Sequence, residues 1–252
     1  MTNAGTGRPG SHGEHELQER TGNAKRAKAF YDNQVLDHLT PLMREFMTHM
    51  RMAFIATADA HGDCDSSFRA GPPGFIRVLD EKTVCWPEYK GNGVMASMGN
   101  ITENPHVGIL FVDFFETAVG LHVNGRASIV EDAAMAAFAP LFDRLPFATP
   151  AHEAPEAKKT PERWVVVHVD EAYIHCSKHI PFLKWADGEE ELEARRRAGD
   201  VFKAKDGERA WLVPPCEVPD PAAVPAEIGV ATLAEAPTHS PSGRRLPLPV
   251  RK

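Results

Sequence analysis

The sequence predicts a mainly β protein with flanking helices, built as a six-stranded antiparallel β-barrel that is closed or split. Short apolar segments recur at regular spacing between residues 52 and 174, and only two connections among them are long. Short connections indicate antiparallel pairing, because parallel strands need long crossovers. A barrel this small has no room inside for a large ligand, so we expect binding on its outer wall or at a subunit seam.

The N-terminal part of the chain changes character near residue 24. Residues 1–24 are polar and glycine-rich without apolar periodicity, and we predict that they are disordered. Apolar residues then recur every three or four positions up to residue 50, which predicts helix. Thr40 followed by Pro41 is typical of an N-cap and a first helical position, so two helices are predicted instead of one.

The strands are recognised as apolar runs bounded by turn residues. Asp59 to Gly62 forms a turn signal after the first run, and Asn104 with Pro105 ends a short helix predicted at residues 94–101. Seven runs are candidates, at residues 52–58, 64–69, 75–79, 83–86, 106–112, 119–130 and 164–174, and we predict that they form about six strands.

The pair Asn124-Gly125 lies inside the longest of these runs. Taken alone, Asn-Gly is a strong hairpin signal. Too few residues remain before Glu131 for a second hairpin strand, so we predict a bulge within one long strand. A helix is predicted at residues 131–145, and a short helix or turn at residues 177–185.

The C-terminal part is charged and then proline-rich. A helix is predicted at residues 188–197 and a last strand at 210–213. Residues 214–252 hold many prolines and almost no aromatic residues, so they are predicted to be a tail, or else a strap over a partner subunit. The predicted organisation is therefore a disordered segment at 1–24, one domain at 25–213 and a tail at 214–252.

The composition limits the class of partner. The net charge of −7 argues against nucleic acid or an anionic membrane as the main partner. No apolar run approaches the length of a membrane span, and the N-terminus lacks the apolar core of a signal peptide. The four cysteines form no Cys-x-x-Cys pair, so a reducing, cytoplasmic location is expected.

One stretch carries groups suited to a phosphate. Ser66, Ser67 and Arg69 end one strand, and a glycine-flanked loop at residues 89–93 opens the short helix. Hydroxyls, a guanidinium and a helix N-terminus together bind phosphate dianions. The alternative is an ordinary meander with a surface arginine, and these residues alone leave both interpretations open.

Two other groups of residues do not predict a binding site. Strand alternation places His168 and Asp170 on one face and His175 on the other, so no metal site is predicted at this cluster. Glycine patterns of a Rossmann or P-loop nucleotide site are absent from the sequence, because G-P-P-G and G-N-G have the wrong spacing.

The order of several motifs resembles the pyridoxamine 5'-phosphate oxidase-like flavoproteins. These motifs are F-I-A-T-A-D-x-x-G, S-S-x-R, G-P-P-G-F-I-R-V-L-D, W-P-x-Y-x-G-N-G, N-I-x-x-N-P-x-V-G-I-L-F and H-V-N-G-R-A. The resemblance covers roughly residues 25–185 and is specific in the ordered combination. It implies a homodimeric split β-barrel that binds FMN at the subunit seam.

The resemblance also assigns roles by position. It implies that the strand end binds the FMN phosphate, that the next strands lie along the isoalloxazine and ribityl chain, and that the glycine loop closes over the phosphate. It places a fourth group of residues where the second subunit contacts the flavin. In that order, the residues are Ser66, Ser67 and Arg69; Phe75, Trp86 and Pro87; Lys90, Asn92 and Gly93; and His122, Asn124 and Trp185.

The sequence departs from the family at its C-terminal end. Members that oxidise vitamin B6 carry an arginine and histidine clamp for the substrate phosphate, to which residues 209–214 here are only weakly similar. We therefore expect an FMN-dependent oxidoreductase whose small-molecule substrate is not vitamin B6, with no assigned catalytic acid or base. The alternatives are a non-catalytic module that stores flavin or haem, and an F420-dependent reductase.

A homodimer is also expected on physical grounds. A barrel that binds flavin on its outer wall leaves an apolar face, and large apolar patches are uncommon on monomers. We predict that this face lies around Phe111, Val112, Phe114 and Phe115.

Overall fold

The computed structural model describes residues 9–135 and 161–186, together with residues 137 and 188. The chain divides into two units, Met1–Trp185 and Ala186–Lys252. Every helix and strand described below lies in the first unit. The predicted helix at 188–197, the strand at 210–213 and the tail at 214–252 lie outside the described residues.

The first unit is organised around one antiparallel sheet in the order β2-β1-β5-β6-β7-β4-β3. Within the described residues this sheet has seven strands, so the six strands predicted from the sequence were one too few. The segment predicted at 75–79 contributes only two paired residues, because Gly74 and Phe75 are held in a turn by Met50 and Pro72. The strands are β1 (Met52–Ala58), β2 (Cys64–Ala70), β3 (Arg77–Val78), β4 (Thr83–Glu88), β5 (His106–Val112), β6 (Gly120–Glu131) and β7 (Arg163–His175).

Alternation along the strands separates a buried inner face from an outer face. On β1 the inner face carries Ala53 and Ile55, each 1% exposed, whereas Phe54 between them is 38% exposed. The inner faces of the other strands supply the same core, and burying each large side chain contributes about 1.5–3 kcal/mol. Large core residues that are almost fully buried include Trp86, Phe111, Ile109, Val123, Val165 and Val167.

The core placement of β5 corrects the predicted dimer face. Phe111 is 0% exposed and Val112 is 7% exposed, so neither can form a surface patch. Phe111 pairs with Leu121 of β6 in the middle of the sheet, and both point inward. On β1 and β2 the exposed apolar residues include Phe54 and Phe68, which are paired across the two strands with ring centroids 5.5 Å apart.

Three helices precede the sheet: α1 (His12–Arg20), α2 (Ala24–Gln34) and α3 (Pro41–His49). Helix α1 lies in the stretch predicted to be disordered. Ser11 and Glu14 form a capping box at its start, which satisfies backbone N–H groups that would otherwise lack partners. The Thr40 side chain caps α3 and Pro41 takes the first helical position, so the predicted split into two helices is confirmed.

Two further helices follow within the sheet region, α4 (Ala96–Glu103) and α5 (Asp132–Met135). Beyond Met135 the predicted helix at 131–145 leaves the described residues, apart from residue 137. A short 3-10 helix at Ser177–His179 follows β7, as the sequence indicated. None of the helices in the described part of the chain combines the length and the apolarity needed to cross a bilayer.

Strand β6 is continuous over 12 residues and changes register against β7 between Asn124 and Gly125. The predicted bulge is therefore confirmed, and the hairpin alternative is not. Gly125 is required at this point, because a Cβ atom there would overlap the carbonyl oxygen of His168.

Candidate functional site

The sheet divides the predicted site residues of β2 between its two faces. Ser67 pairs with Ile55 and Arg69 with Ala53, so both serine and arginine share the inner side with the core. Ser66 pairs with Ala56 and lies on the outer face beside Phe68. Ser66 and Ser67 therefore cannot contact the same group from within one chain.

Ser67 joins β2 to the first turn of helix α4. Its Oγ lies 2.9 Å from Ser97 Oγ and 2.9 Å from Asp65 Oδ2, and Ser97 Oγ also lies 2.9 Å from Asp65 Oδ2. Ser97 is only 6% exposed. Sequence reasoning missed Ser97, which lies 30 positions from Ser67 in the chain. It also missed Asp65, which is two positions from Ser67 on the same face of β2.

The backbone before α4 contains two residues with positive φ. Asn92 accepts a hydrogen bond from the backbone of Val94, and Gly93 has φ of 86°. Met95 at the N-cap has φ of 55° and supplies no side-chain hydrogen bond to the helix. Helix α4 therefore begins without a side-chain cap, and the free N–H groups of a helix N-terminus favour anions.

Arg69 is paired with a carboxylate that the sequence analysis did not single out. Its Nε donates to Glu88 Oε1 at 3.1 Å, and its Nη1 donates to the Phe68 carbonyl oxygen at 3.4 Å. Glu88 also accepts from Trp86 Nε1 at 2.8 Å. The side chains of Arg69 and Glu88 are 27% and 12% exposed, so the pair is partly shielded from water.

This ion pair also joins the two ends of the sheet. Arg69 lies on β2, at one end of the strand order, and Glu88 lies on β4, next to the other end. The sheet must therefore curve until its ends approach, while β2 and β4 exchange no ladder hydrogen bonds among the described residues. This is the geometry of a split barrel.

The residues expected along the flavin ring system differ in their exposure. Trp86 is 1% exposed and belongs to the core, so its ring presents almost no surface to a ligand. Phe75 is half-buried and packs against the core next to Gly71, where a Cβ atom would overlap its ring. Pro87 is half-buried and pairs with Trp164 of β7.

On the outer face, His122 lies in a row of cross-strand partners formed by Phe68, Phe54, Leu110, His122 and Tyr173. The His122 ring stacks on Tyr173 with centroids 4.7 Å apart, and its Nε2 lies 2.9 Å from Nδ1 of His175. Burial and the neighbouring His175 lower the pKa of His122 below its usual value.

Asn124 lies on the same outer face, one row further along. It donates from Nδ2 to Glu171 Oε1 at 2.8 Å. Its row contains the small residues Ala56 and Gly108, so the outer face is shallow beside the row of His122.

Trp185 lies at a different place, outside the sheet. Its ring stacks on Phe115 at a centroid distance of 4.1 Å, and the Arg51 guanidinium lies 5.7 Å from its centroid. These three residues line a cavity of about 280 Å³ that Met50 and Pro73 also contact. Trp185 remains 61% exposed.

The structure thus brings part of the predicted site together. Ser67 and Arg69 lie on the inner side of β2, where Ser67 contacts Ser97 in the first turn of α4. Ser66, His122 and Asn124 lie on the outer face, and Trp185 lies outside the sheet. Burial raises the pKa of the Cys85 thiol to about 12, so this cysteine is protonated and unsuited to nucleophilic attack. Within the described residues, no group of three or more His, Cys, Asp or Glu side chains could hold a metal ion.

An antiparallel sheet whose ends meet at one ion pair defines the class as a split β-barrel protein. More particularly, residues 39–176 match the family described as pyridoxamine 5'-phosphate oxidase. The match covers more than half of the chain, and the protein belongs to this family. The resemblance that the sequence motifs indicated is thereby confirmed.

Several solved structures match the chain at low identity and low TM-score. An FMN-binding protein from Syntrophomonas wolfei is 11% identical, covering 53% of this chain and 83% of its own, with a TM-score of 0.39. The haem storage protein HutZ from Vibrio cholerae is 17% identical, covering 54% and 93%, with a TM-score of 0.37. An F420 reductase is 21% identical, covering 54% and 98%, with a TM-score of 0.33. No curated protein matches the sequence.

Proposed function

We propose that this protein is an FMN-dependent oxidoreductase that holds the FMN phosphate between strand β2 and the N-terminus of helix α4. The observation that supports this most directly is the contact between Ser67 and Ser97. It brings the hydroxyls of β2 to the first turn of a helix without a side-chain cap, and Arg69 follows on the same side of the strand. These are the groups that recognise a phosphate dianion.

The side chains present fit a phosphate, although two carboxylates already contact them. A guanidinium has several N–H donors, and the described contacts of Arg69 use those on Nε and Nη1. The rest can donate to a phosphate while Glu88 keeps the guanidinium oriented. Ser67 and Ser97 would similarly turn their hydroxyl protons from Asp65 toward the phosphate. Both carboxylates oppose an added negative charge, so this chain should bind FMN less tightly than a site without them.

Residues of the chain bind and orient in this proposal, and the bound FMN supplies the hydride chemistry. Phe75 and Pro87, half-buried next to the core, would limit access of water to the ring system. Lys90 on the exposed loop would add positive charge near the phosphate. Trp86 would act through Glu88, to which its indole donates, and not by direct contact with the ring.

The separation of the site residues between two faces supports a homodimer. His122 and Asn124 lie on the outer face, whereas Ser67 and Arg69 lie on the inner side. One flavin would therefore meet both sets most simply if the outer-face residues came from a second copy. Phe54 and Phe68, 38% and 54% exposed, give that face an apolar surface for the second copy to cover.

The phosphate assignment is tested by Arg69→Ala. We expect FMN affinity to fall by at least about thirtyfold, because loss of a charge-assisted partner costs about 2 kcal/mol at the lower end of the usual range. The lower end applies because Arg69 is partly exposed and already paired with Glu88. FMN titration followed by flavin fluorescence measures the change.

The control is Arg126→Ala, which removes another ion pair, with Asp170, from β6 and β7. It should leave FMN affinity within about twofold of the original, since surface ion pairs contribute little. Equal affinity of Arg69→Ala and the original protein would contradict the phosphate assignment.

The same purified protein can be used to distinguish the proposed FMN-dependent oxidoreductase from a flavin or haem storage module and from an F420-dependent reductase. Titration with haem and with F420 shows whether either binds more tightly than FMN. A storage module would bind flavin without turnover, so anaerobic addition of NADH or NADPH should leave the flavin absorbance unchanged. An oxidoreductase should show bleaching of the bound flavin by a reductant and its recovery on addition of an oxidant.

A further inference from the structure

A second cavity, of about 670 Å³, lies between helices α1 and α2 and the β6–β7 part of the sheet. Its size is within the range of small-molecule sites. The helices are tied to this part of the sheet by a bridge between Leu36 and Ala172 and by an edge contact of Phe30 with Tyr173. The residues that decide its chemistry are Glu14, Gln18, Arg26, Phe30, Tyr31 and Tyr173.

One lining group is a buried acceptor without a described partner. Gln18 donates from Nε2 to the Tyr31 hydroxyl at 2.7 Å, and that hydroxyl donates to Glu14 Oε2 at 2.8 Å. The amide of Gln18 cannot be reversed, because the Tyr31 proton is used on Glu14 and the hydroxyl must accept from Gln18. Gln18 Oε1 is consequently buried with no hydrogen bond in the described residues. A buried acceptor in this state favours a ligand that brings N–H donors.

The charged side chains of the lining also bear on which ligand the cavity favours. Glu14 and Glu171 contribute two carboxylates, and Arg26 contributes one positive charge. Burial alone would raise the pKa of Glu14, but hydrogen bonds from Tyr31 and Ser11 hold its pKa below the usual value, so it is ionised near neutral pH. The lining thus presents an ionised carboxylate at Glu14, beside the acceptor of Gln18.

The remaining walls are aromatic. Phe30 and Tyr173 meet edge to face at a centroid distance of 6.0 Å, and Tyr31 lies beside Glu14. Aromatic faces attract cations, and they also pack against the apolar stem of an amine. The buried acceptor of Gln18, the ionised carboxylate of Glu14 and the aromatic walls together select one chemical class.

From this geometry we propose that the cavity binds a small organic cation, with an ammonium or guanidinium group directed at Gln18 and Glu14 and an apolar or aromatic body against Phe30 and Tyr173. This site goes beyond the flavin function and does not depend on it. Ser67 and Arg69, the proposed phosphate ligands, do not line the cavity, whereas Asn124 lines it and also belongs to the outer-face residues proposed to meet the flavin.

The probe is 2-phenylethylamine, which joins a primary ammonium to one ring. Calorimetric titration should give a dissociation constant of about 1 mM or tighter, which is reasonable for a ligand of this size. The neutral analogue 2-phenylethanol and the anionic analogue phenylacetate should bind at least about tenfold more weakly, because neither carries the cation. Because Arg8 precedes the lining residue Pro9 in the sequence, the titration is repeated on Arg8→Ala to remove a competing cation.

The test variant is Glu14→Gln, whose single side-chain oxygen can keep the capping-box bond from the Ser11 N–H while its amide NH2 replaces the oxygen that faces the Tyr31 hydroxyl. It should weaken binding of the amine about tenfold. Its control is Glu16→Gln, which removes the same charge from the same helix but outside the cavity, where Glu16 pairs only weakly with Arg20. That variant should bind the amine within about twofold of the original.

Three outcomes would overturn the proposal. The first is the absence of amine binding by both the original protein and Arg8→Ala. The second is an equal loss in Glu14→Gln and Glu16→Gln, which would indicate only the general field of the acidic protein. The third is competition by FMN, which would assign the cavity to the flavin.

Discussion

Glu88 links two residues that the sequence analysis had assigned to the flavin. Its Oε1 accepts from both Arg69 and Trp86, so it fixes the arginine and satisfies the indole N–H of a core residue. At 12% exposure, its carboxylate interacts with nearby charges more strongly than a surface carboxylate would. The affinity of the proposed phosphate site therefore depends on Glu88 as well as on Arg69.

We predict that Glu88→Gln binds FMN about fivefold more tightly than the original protein. Glutamine keeps an acceptor for Trp86 and Arg69 but removes the charge that opposes the phosphate, a change worth about 1 kcal/mol. The dissociation constant is measured by fluorescence titration. Glu131→Gln, at a carboxylate 67% exposed in its pair with Arg163, serves as the control and should leave affinity unchanged. Weaker binding by Glu88→Gln would show that the carboxylate mainly orients the arginine.

The pair His122 and His175 has a consequence for pH. Their ring nitrogens lie 2.9 Å apart, so one must donate while the other accepts, and both rings cannot easily carry a proton there. Burial, and then the proximity of His175, lower the pKa of His122. The unfolded chain therefore binds more protons than the folded one as pH falls below about 6.5, and this group's contribution to stability decreases in that range.

We predict that the His122 imidazole titrates below about pH 6.5 in an NMR pH titration, and that His175→Asn raises its midpoint. The shift should be partial, since burial remains after the charge of His175 is removed. His106→Asn, at the start of β5, is the control and should not move the His122 midpoint. An unchanged midpoint in His175→Asn would contradict the coupling.

Among the elements, the bulge in β6 gives the sharpest prediction. Gly125→Ala should destabilise the protein by about 2 kcal/mol or more, because its Cβ would overlap the His168 carbonyl oxygen, which is backbone and cannot rotate away. Chemical denaturation measures the change. Gly99→Ala in α4, where a Cβ would meet nothing within 4 Å, should instead be neutral or stabilising by up to about 1 kcal/mol. Equal stabilities of the two variants would be incompatible with this account of the bulge.

Local signals predicted most of the elements. The Thr40-Pro41 cap and the Asn124-Gly125 bulge were readable, since each depends on residues adjacent in sequence. Helix α1 was also signalled, by Ser11 three residues before Glu14, but its polar composition indicated disorder. Its order comes partly from Gln18 and Tyr31, a contact between two helices.

The site was harder to predict than the fold. Ser97 and Glu88 lie far along the chain from Ser67 and Arg69, and only the register of the strands and the curvature of the sheet bring them together. The family resemblance named residues by position without indicating the face on which each lies. Ser66 and Ser67 are adjacent in sequence and yet lie on opposite sides of β2.

For the whole molecule, the outer face is the surface on which dimerisation should depend. Phe68→Asp places a charge in the apolar patch and should convert a dimer to a monomer, as measured by sedimentation velocity. Leu42→Asp, at an exposed leucine of α3, is the matched control and should remain dimeric. A dimeric Phe68→Asp, or an original protein that is monomeric, would contradict this interface.

The ends of the sheet also bear on how this protein avoids aggregation. An end strand offers unpaired backbone groups to other molecules, and natural proteins protect such edges with short strands or with inward-pointing charges. The two-residue β3 is an example of the first device, and Asp65 and Arg69 on β2 are an example of the second. Removing Arg69 would therefore weaken the protection of this edge, and aggregates could form through β2 in a variant designed only to test phosphate binding.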